Sequence, residues 1–426
     1  MKTLQKSRWL SAILGIVAFL ALLVPGTSQA SEKEITVNFL TQWVGKDSKT
    51  RTIAEIIHDF NAQNQGRIRV VAEGISDYDA YASKIKTSIS SGTVPDVFSF
   101  SDIASGPLYY KSGQLLDLTK YFNRGWKKQF LPGAFADVTY NKRIYAVPFE
   151  YGVAPALYNA RLLAKVGFKE FPRTYSELFD LFAKLKAAGI TPAAQMTKDN
   201  AWTSMLWYSQ LLSAIGGPGV YKKGLNDPAF VEAAKVLKKL FDYTSGDAIG
   251  GNAGQAAAHF LNGDTAILLN GPWFIGRIKK EGKDNLYDDI RVAPLPTYEG
   301  GKGKPGQYIG FTQSVLAAAR QSDPAKERAV VRFLTFLTQP AQIKKISLDS
   351  GAMFVVQFDV AANDPLDRLQ AEMQRQLSKA PYVLPHFHAA QKAAVQTEFP
   401  QALEGLVLGK YTPQQFVEQL KKAADQ

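Results

Sequence analysis

Four histidines and no cysteine leave this 426-residue chain few groups that could do chemistry on a substrate. The absence of thiols excludes a disulfide scaffold, a Cys-ligated zinc site, a thiol nucleophile and a lipidated N-terminal cysteine. His386 and His388 could put two imidazoles on one strand face, but no third His or evident carboxylate stands near them in sequence. They predict polar or ligand-facing packing rather than a metal site. No G-x-S-x-G elbow raises a serine nucleophile. Gly301-Lys-Gly303-Lys-Pro-Gly306 matches a dinucleotide fingerprint by letter, yet it follows Pro294 and Pro296, contains Pro305 and runs into the strand-like Tyr308–Phe311; it predicts a flexible turn. Asp102 and Glu150 are the carboxylates a glycoside hydrolase would pair, since such pairs are spatial rather than sequential. The expectation is a chain with no catalytic residues, no metal and no cofactor.

The chain is better supplied with aromatic and polar residues at the ends of predicted elements. Thr41-Gln42-Trp43 follows the first strand, Phe100-Ser101-Asp102 the third, and Phe149-Glu150-Tyr151 follows Pro148. Trp202 and Trp207 flank a loop-to-helix start, and Asn270-Gly271-Pro272-Trp273 ends an apolar strand. Ligands of open α/β sheets bind beyond the carboxyl ends of the strands. A flat ring covers the apolar C–H face of a sugar, and Asp, Glu, Asn and Gln exchange hydrogen bonds with its hydroxyls. Such a cleft needs neither a tuned pKa nor a nucleophile.

The elements that must position these residues alternate in type. Ile35–Leu40 reads as a strand, and Ile53, Ile56, Ile57 and Phe60 recur with helical period. Arg67–Glu73 alternates as a strand, Tyr81–Ile89 repeats as a helix, and Asp96–Phe100 is a short strand. That order predicts a parallel sheet covered by helices. Further strands are expected at Ile144–Pro148, Ala154–Tyr158, Thr265–Asn270 and Ser314–Ala319. Thr174-x-x-Glu177 forms a capping box, Asp227-Pro228 and Asp323-Pro324 mark helix starts, and Thr412-Pro413-x-Gln415 opens the last helix. Tyr298–Gln307, rich in Gly and Lys, reads as the loosest stretch.

Composition bounds the class. With 46% apolar and 21% charged residues the chain is globular, and its length predicts two or three domains. Lys and Arg exceed Asp and Glu by 50 to 38, a formal charge of +12. The cations come as scattered doublets such as Lys127-Lys128 and Lys238-Lys239, so they predict a solvated surface and no nucleic-acid partner. Residues 1–30 combine a basic start, the apolar run Leu10–Val24 and small residues at Ser28-Gln29-Ala30, the pattern of a cleaved secretory signal peptide.

Val94-Pro95-Asp96-Val97-Phe98 before Asp102, Tyr145–Pro148 leading to Leu157-Tyr158-Asn159, Gly263–Trp273 followed by Ala293–Pro296, and the Gly405–Gln419 helix pair carry a resemblance. In their order and spacing, over residues 35–424, the chain resembles the extracellular solute-binding proteins of family 1, the sugar-capturing subunits of ABC importers. The resemblance implies an α/β, two-lobed periplasmic-binding-protein fold with discontinuous lobes, hinge crossings and a ligand cleft between them. Crossings are expected near Phe149–Gly152, Pro294–Thr297 and Thr338–Gln342. They divide the chain into residues 31–148 plus 297–338 and residues 149–296 plus 339–426.

The resemblance further implies a di- or oligosaccharide ligand, capture by hinge closure, and delivery to membrane permease subunits by a monomer. Trp273 becomes the stacking platform, Asp102 and Glu150 acceptors for sugar hydroxyls, and Gln42, Trp43 and Trp202 contacts from two loops. Gly351, Met353 and His388 fall in loops that close the cleft. With no Cys after the signal, the protein is expected free in a periplasm. Two alternatives stand beside this reading. The same fold could hold a polyamine between Asp102, Glu150 and the aromatics, or the chain could be a secreted carbohydrate-active hydrolase.

Overall fold

The computed structural model describes residues 33–122 and 125–425; the expected leader, residues 1–30, lies outside them. Apart from a small hairpin of Thr139–Tyr140 with Arg143–Ile144, the strands are β1 (Ile35–Thr41), β2 (Ile68–Gly74), β3 (Val97–Phe100), β4 (Ala146–Val153), β5 (Ala156–Asn159), β6 (Thr191–Ala193), β7 (Thr265–Leu269), β8 (Ile290–Ala293), β9 (Tyr308–Ala318), β10 (Met353–Phe354) and β11 (Val383–Pro385). They build two principal sheets. The larger has the order β10-β4-β9-β3-β1-β2 with β11 on the flank of β9, and the smaller β8-β5-β7-β6.

Strands β1, β2 and β3 pair in parallel, as the alternation of strand and helix predicts. Beyond them the sheet turns antiparallel, because β9 runs against both β3 and β4. The expectation of a parallel sheet therefore holds for one end only. The helices that pack here follow their apolar stripes. In α1 (Thr50–Gln63) the buried face is Thr52, Ile53, Ile56, Ile57 and Phe60, and α2 (Tyr78–Ser91) is capped by Asp77, whose carboxylate accepts from the Ala80 amide.

The sequence signals for helix starts resolve into specific bonds. Thr174 Oγ1 accepts from the Glu177 amide at the head of α3 (Tyr175–Ala187), while Glu177 reaches past it to the Arg173 amide. Further along come α4 (Trp202–Gly216), α5 (Ala229–Leu240), α6 (Ala253–Leu261), α7 (Ile275–Glu281), α8 (Pro324–Leu337) and α9 (Pro340–Ser350). The reciprocal capping pair of Thr412 and Gln415 opens α10 (Pro413–Ala424).

Two large apolar cores occupy the molecule. One gathers side chains from Val37 to Phe149 and from Val315 to Val356; the other gathers them from Ala154 to Phe311 and from Leu384 to Ala423. The change from one core to the other falls inside two continuous, mutually paired strands. Phe149 belongs to the first core and Val153 is followed by Ala154 in the second, while on β9 Phe311 belongs to the second and Val315 to the first. The packing thus changes between Phe149 and Ala154 on β4 and between Phe311 and Val315 on β9. Ile343 and Ile346 of α9 pack in the first core.

Tyr298–Gln307 is not a loose turn. Lys302 and Gly303 amides donate to the Ile215 and Ala214 carbonyls. A Cβ on Gly301 would lie 2.3 Å from the Ala214 oxygen, so the glycines serve close approach to the end of α4.

Candidate functional site

Where β4 and β9 pass from one core to the other, their register slips. Thr312 faces Tyr151, Ser314 faces Glu150 and Val315 faces Pro148, with irregularities on both sides of Ser314. A bulge re-aims the side chain it carries, and Gln313, at the irregularity, lines a cavity of about 200 Å³. Tyr78 at the start of α2 and Ser101 after β3 wall it from one side. Asp199, Asn200, Trp202 and Ala253 wall it from the other, with Phe311 and His388 completing it.

Local geometry holds these groups in place. Asp199 and Ala201 adopt left-handed backbone at φ 56° and 49°, a conformation that costs non-glycine residues energy and is kept only where surrounding contacts impose it. One such contact is Asp199 Oδ2, which accepts from the Ala253 amide at 3.2 Å and so ties the loop to the head of α6. Ala201 is the N-cap of α4, which makes Trp202 its first residue.

Trp202 sits in an aromatic cluster. Its ring centroid lies 5.0 Å from His386, 5.5 Å from Phe311 and 6.2 Å from Trp273. Phe311 lies flat over the backbone of Gly152, its partner in the β4/β9 ladder; a Cβ there would be 2.5 Å from the ring.

The electrostatics are those of a carboxylate-rimmed, uncharged floor. His388 Nε2 is 3.9 Å from Asp102 Oδ1, yet burial holds the imidazole below its ordinary value against the pull of Asp102. His386 is driven well below it by burial and then by His388. Its Nδ1 accepts from the His388 amide and its Nε2 has no partner. Burial, then Asp102 and Asp79, push the Tyr78 phenol up. Asp79 itself is raised by burial, then by Asp199 and Asp77. Among the described residues no group of three His, Asp or Glu side chains could hold a metal ion.

The nine candidate residues do not converge. Trp202 and His388 line the cavity. Asp102 lies in the adjoining recess with Gln42 and Tyr78, its carboxylate accepting from Ser105 Oγ. Gln42 Nε2 donates to Ser101 Oγ at 2.8 Å, so it stands behind a wall residue. Trp273 is half-buried behind Trp202 and Phe311, and its carbonyl accepts from Ser48 Oγ.

Two of the nine, Trp43 and Glu150, are buried side chains outside the cavity lining. Trp43 is 2% exposed, its ring tilted against Phe149 at 4.9 Å. Glu150 is equally sealed, at 2%, where Lys49 Nζ lies 3.5 Å from Oε1 and Ser314 Oγ donates to Oε2. Gly351 is the left-handed C-cap of α9, packed on Ile275, and Met353 pairs with Tyr151 in β10; neither lines the cavity.

Tyr78, Asp199, Asn200, Ala253, Phe311 and Gln313 went unread in sequence. Ser101 was read only as part of the Phe100-Ser101-Asp102 strand end, and Asp199-Asn200 before Trp202 is a turn-forming pair. The others carry no local mark.

Residues 46–344 match the family model described as bacterial extracellular solute-binding protein. The chain belongs to that family. A maltotriose-binding protein of Pyrococcus abyssi is 27% identical over 288 residues, covering 66% of this chain and 58% of that protein. An uncharacterized ABC transporter extracellular-binding protein of Pyrococcus horikoshii is 25% identical, and this chain spans 64% of its length. This solute-binding chain therefore spans less than two thirds of both archaeal relatives. An sn-glycerol-3-phosphate-binding periplasmic protein of Rhizobium meliloti is 25% identical, with 71% of each chain covered.

Among solved structures, one from a study of xylan utilization by Caldanaerobius polysaccharolyticus superposes with a TM-score of 0.81 at 26% identity, covering 91% of this chain and 99% of that one. A chitin oligosaccharide binding protein gives 0.82 at 23% identity, covering 92% and 98%. The fold is the two-lobed α/β fold of these binding proteins. Among the described residues no helix is long and apolar enough to cross a membrane.

Proposed function

We propose that this chain is the substrate-binding subunit of an ABC importer, working as a monomer in the periplasm after loss of residues 1–30. It captures a di- or oligosaccharide and delivers it to membrane permease subunits. The observation that carries this reading is the cavity walled by Trp202, Phe311 and Tyr78, with Asn200, Gln313 and Ser101 at its polar edges. Rings cover sugar C–H faces, and amides and hydroxyls satisfy the hydroxyls around them. Trp273 supports the platform from behind Trp202, and Asp102 with His388 closes one end.

Closure follows from the two strands that join the cores. We assign residues 34–149 with 315–356 to one lobe and 154–311 with 384–423 to the other. A ligand that touches Tyr78 and Ser101 on one lobe and Trp202 on the other makes its full set of contacts only when the lobes meet. It therefore shifts the population toward the closed form by that difference in affinity. No bond needs to be broken: Glu150 is committed to Lys49 and Asp102 to Ser105, which argues against the hydrolase alternative.

The test is a thermal-shift screen of the purified protein against di- and oligosaccharides, with polyamines and amino acids alongside. A ligand at 100 times its Kd adds about 2.7 kcal/mol of stability, enough to move the midpoint by a few degrees. A shift from one sugar class supports the reading. A shift from a polyamine alone replaces the substrate, and silence from every carbohydrate overturns the reading.

A further inference from the structure

The one charged side chain that lines the cavity is a carboxylate, with Lys198 beside it in the neighbouring surface pocket rather than in the cavity wall. Asp199 forms part of its wall, and Asp79, on the first turn of α2, is close enough to Asp199 and Asp77 for their charges to raise its carboxyl further after burial. Asp102 stands behind Tyr78 and beside His388. None of the residues lining the cavity is Lys or Arg. The one base among them, His388, is kept neutral at pH 7 chiefly by burial. The buried cation Lys49 is paired with the buried Glu150 and the part-exposed Asp47, and it does not line the cavity.

A phosphate or carboxylate ligand needs cationic or N–H donors to replace its water. A carboxylate in the wall meets it with a like charge and no donor of its own, whereas a sugar hydroxyl donates readily to the same oxygens. The relatives of this chain include both a maltotriose-binding protein and an sn-glycerol-3-phosphate-binding protein, so sequence likeness leaves the ligand's charge open.

The geometry points to Asp199 as the residue that sorts ligands by charge, admitting neutral sugars and rejecting phosphorylated and uronic ones. This inference rests on the carbohydrate reading above. Asp199 is suited to the role because its position is fixed by contacts within the protein. Its Oδ2 accepts from the Ala253 amide, and its left-handed backbone precedes the turn into Trp202. An Asn in its place can keep a carbonyl oxygen on that amide and lose only the charge.

The experiment uses matched probes that differ in charge alone. The neutral trisaccharides maltotriose, xylotriose, chitotriose and raffinose identify a binder by calorimetry. That binder is then compared with its C6-carboxylated derivative, or for xylotriose, which has no C6, with the same trisaccharide oxidised to the carboxylate at its reducing end, and sn-glycerol 3-phosphate is run in parallel. The wild type is expected to favour the neutral member at least tenfold, the effect of one like charge within a few ångströms. That preference should shrink between 20 and 500 mM salt, since screening weakens charge repulsion and leaves steric exclusion untouched.

Asp199→Asn is expected to tighten the carboxylated ligand about tenfold relative to the neutral one, while neutral affinity moves less than threefold. Asp199→Ser serves the same comparison if the Asn variant folds poorly. An anionic probe that binds the wild type as tightly as its neutral partner overturns the charge filter and leaves carbohydrate binding intact. So does a preference unchanged by salt or by both variants. Binding of spermidine in place of every sugar, loosened by Asp199→Asn, upholds the charge filter and overturns the carbohydrate reading. Failure of every probe overturns both.

Discussion

Lys49 and Glu150 allow a quantitative test of what the hinge region contains. The ammonium lies 3.5 Å from Glu150 Oε1 and 3.3 Å from Asp47 Oδ1, and both Lys49 and Glu150 are almost fully out of water. Two unit charges 3.5 Å apart at an effective dielectric of 20 attract by about 5 kcal/mol, and the loss of hydration on burial offsets much of that. Removing one partner leaves the desolvation without the attraction. Lys49→Met is therefore expected to cost about 3–5 kcal/mol at pH 8.

The pH dependence has a definite sign. Burial raises the Glu150 carboxyl even with Lys49 opposing it, and removing Lys49 raises it further. A carboxyl whose folded pKa exceeds its unfolded value contributes stability that is complete below the unfolded value, about 4.3, and is lost as pH rises through the folded value. The penalty of Lys49→Met should accordingly be smaller at pH 5 than at pH 8. Urea unfolding at both values measures it through the midpoint and slope. Lys49→Met with Glu150→Gln should recover more than half of the loss and keep ligand affinity within about threefold, since the pair does not line the cavity. A cost below about 1 kcal/mol at pH 8, or one equal at both pH values, would refute a sealed pair. A tenfold affinity loss in the double variant would return Glu150 to the ligand.

Trp202→Ala is expected to weaken sugar binding more than tenfold, because it removes the ring shared by cavity and cluster; unchanged affinity by titration calorimetry would remove Trp202 from the site. Gly152→Ala places a Cβ 2.5 Å from Phe311, so that ring must shift within the cavity wall; affinity should fall severalfold with secondary structure by circular dichroism unchanged, and an unaffected Kd would show that Phe311 does not shape the site. His386 is buried neutral, so the unfolded chain takes up its proton first and stability falls as pH drops below about 6.5. His386→Phe should flatten the stability slope between pH 5 and 6.5 by up to one proton, and a slope equal to wild type would contradict burial of the neutral ring.

Much of the fold was legible locally. Ile53, Ile56, Ile57 and Phe60 bury one stripe of α1 because helical period puts them on one face. Asp77, Thr174, Asp323 and Thr412 accept from the amides that their positions at helix starts leave unpaired. The family, too, was written in short motifs and their order, and so were the aromatic and polar types a sugar cleft requires.

Which of those residues reach the cleft was decided only by the tertiary structure. Trp43 and Trp202 look alike in sequence, each an indole at an element boundary. Packing buries one against Phe149 and leaves the other on a cavity wall. Glu150 and Asp199 are both acids in loop-like or strand-end settings, but a lysine 101 residues earlier in the chain claims the first. The mixed sheet and the place where the packing changes also depend on long-range pairing. β4 and β9 meet across more than 150 residues of chain, and the slip at Ser314 that turns out Gln313 exists only once they pair. Periodicity and capping are properties of neighbours in sequence. Burial, charge pairing and register belong to neighbours in space, and those set the site.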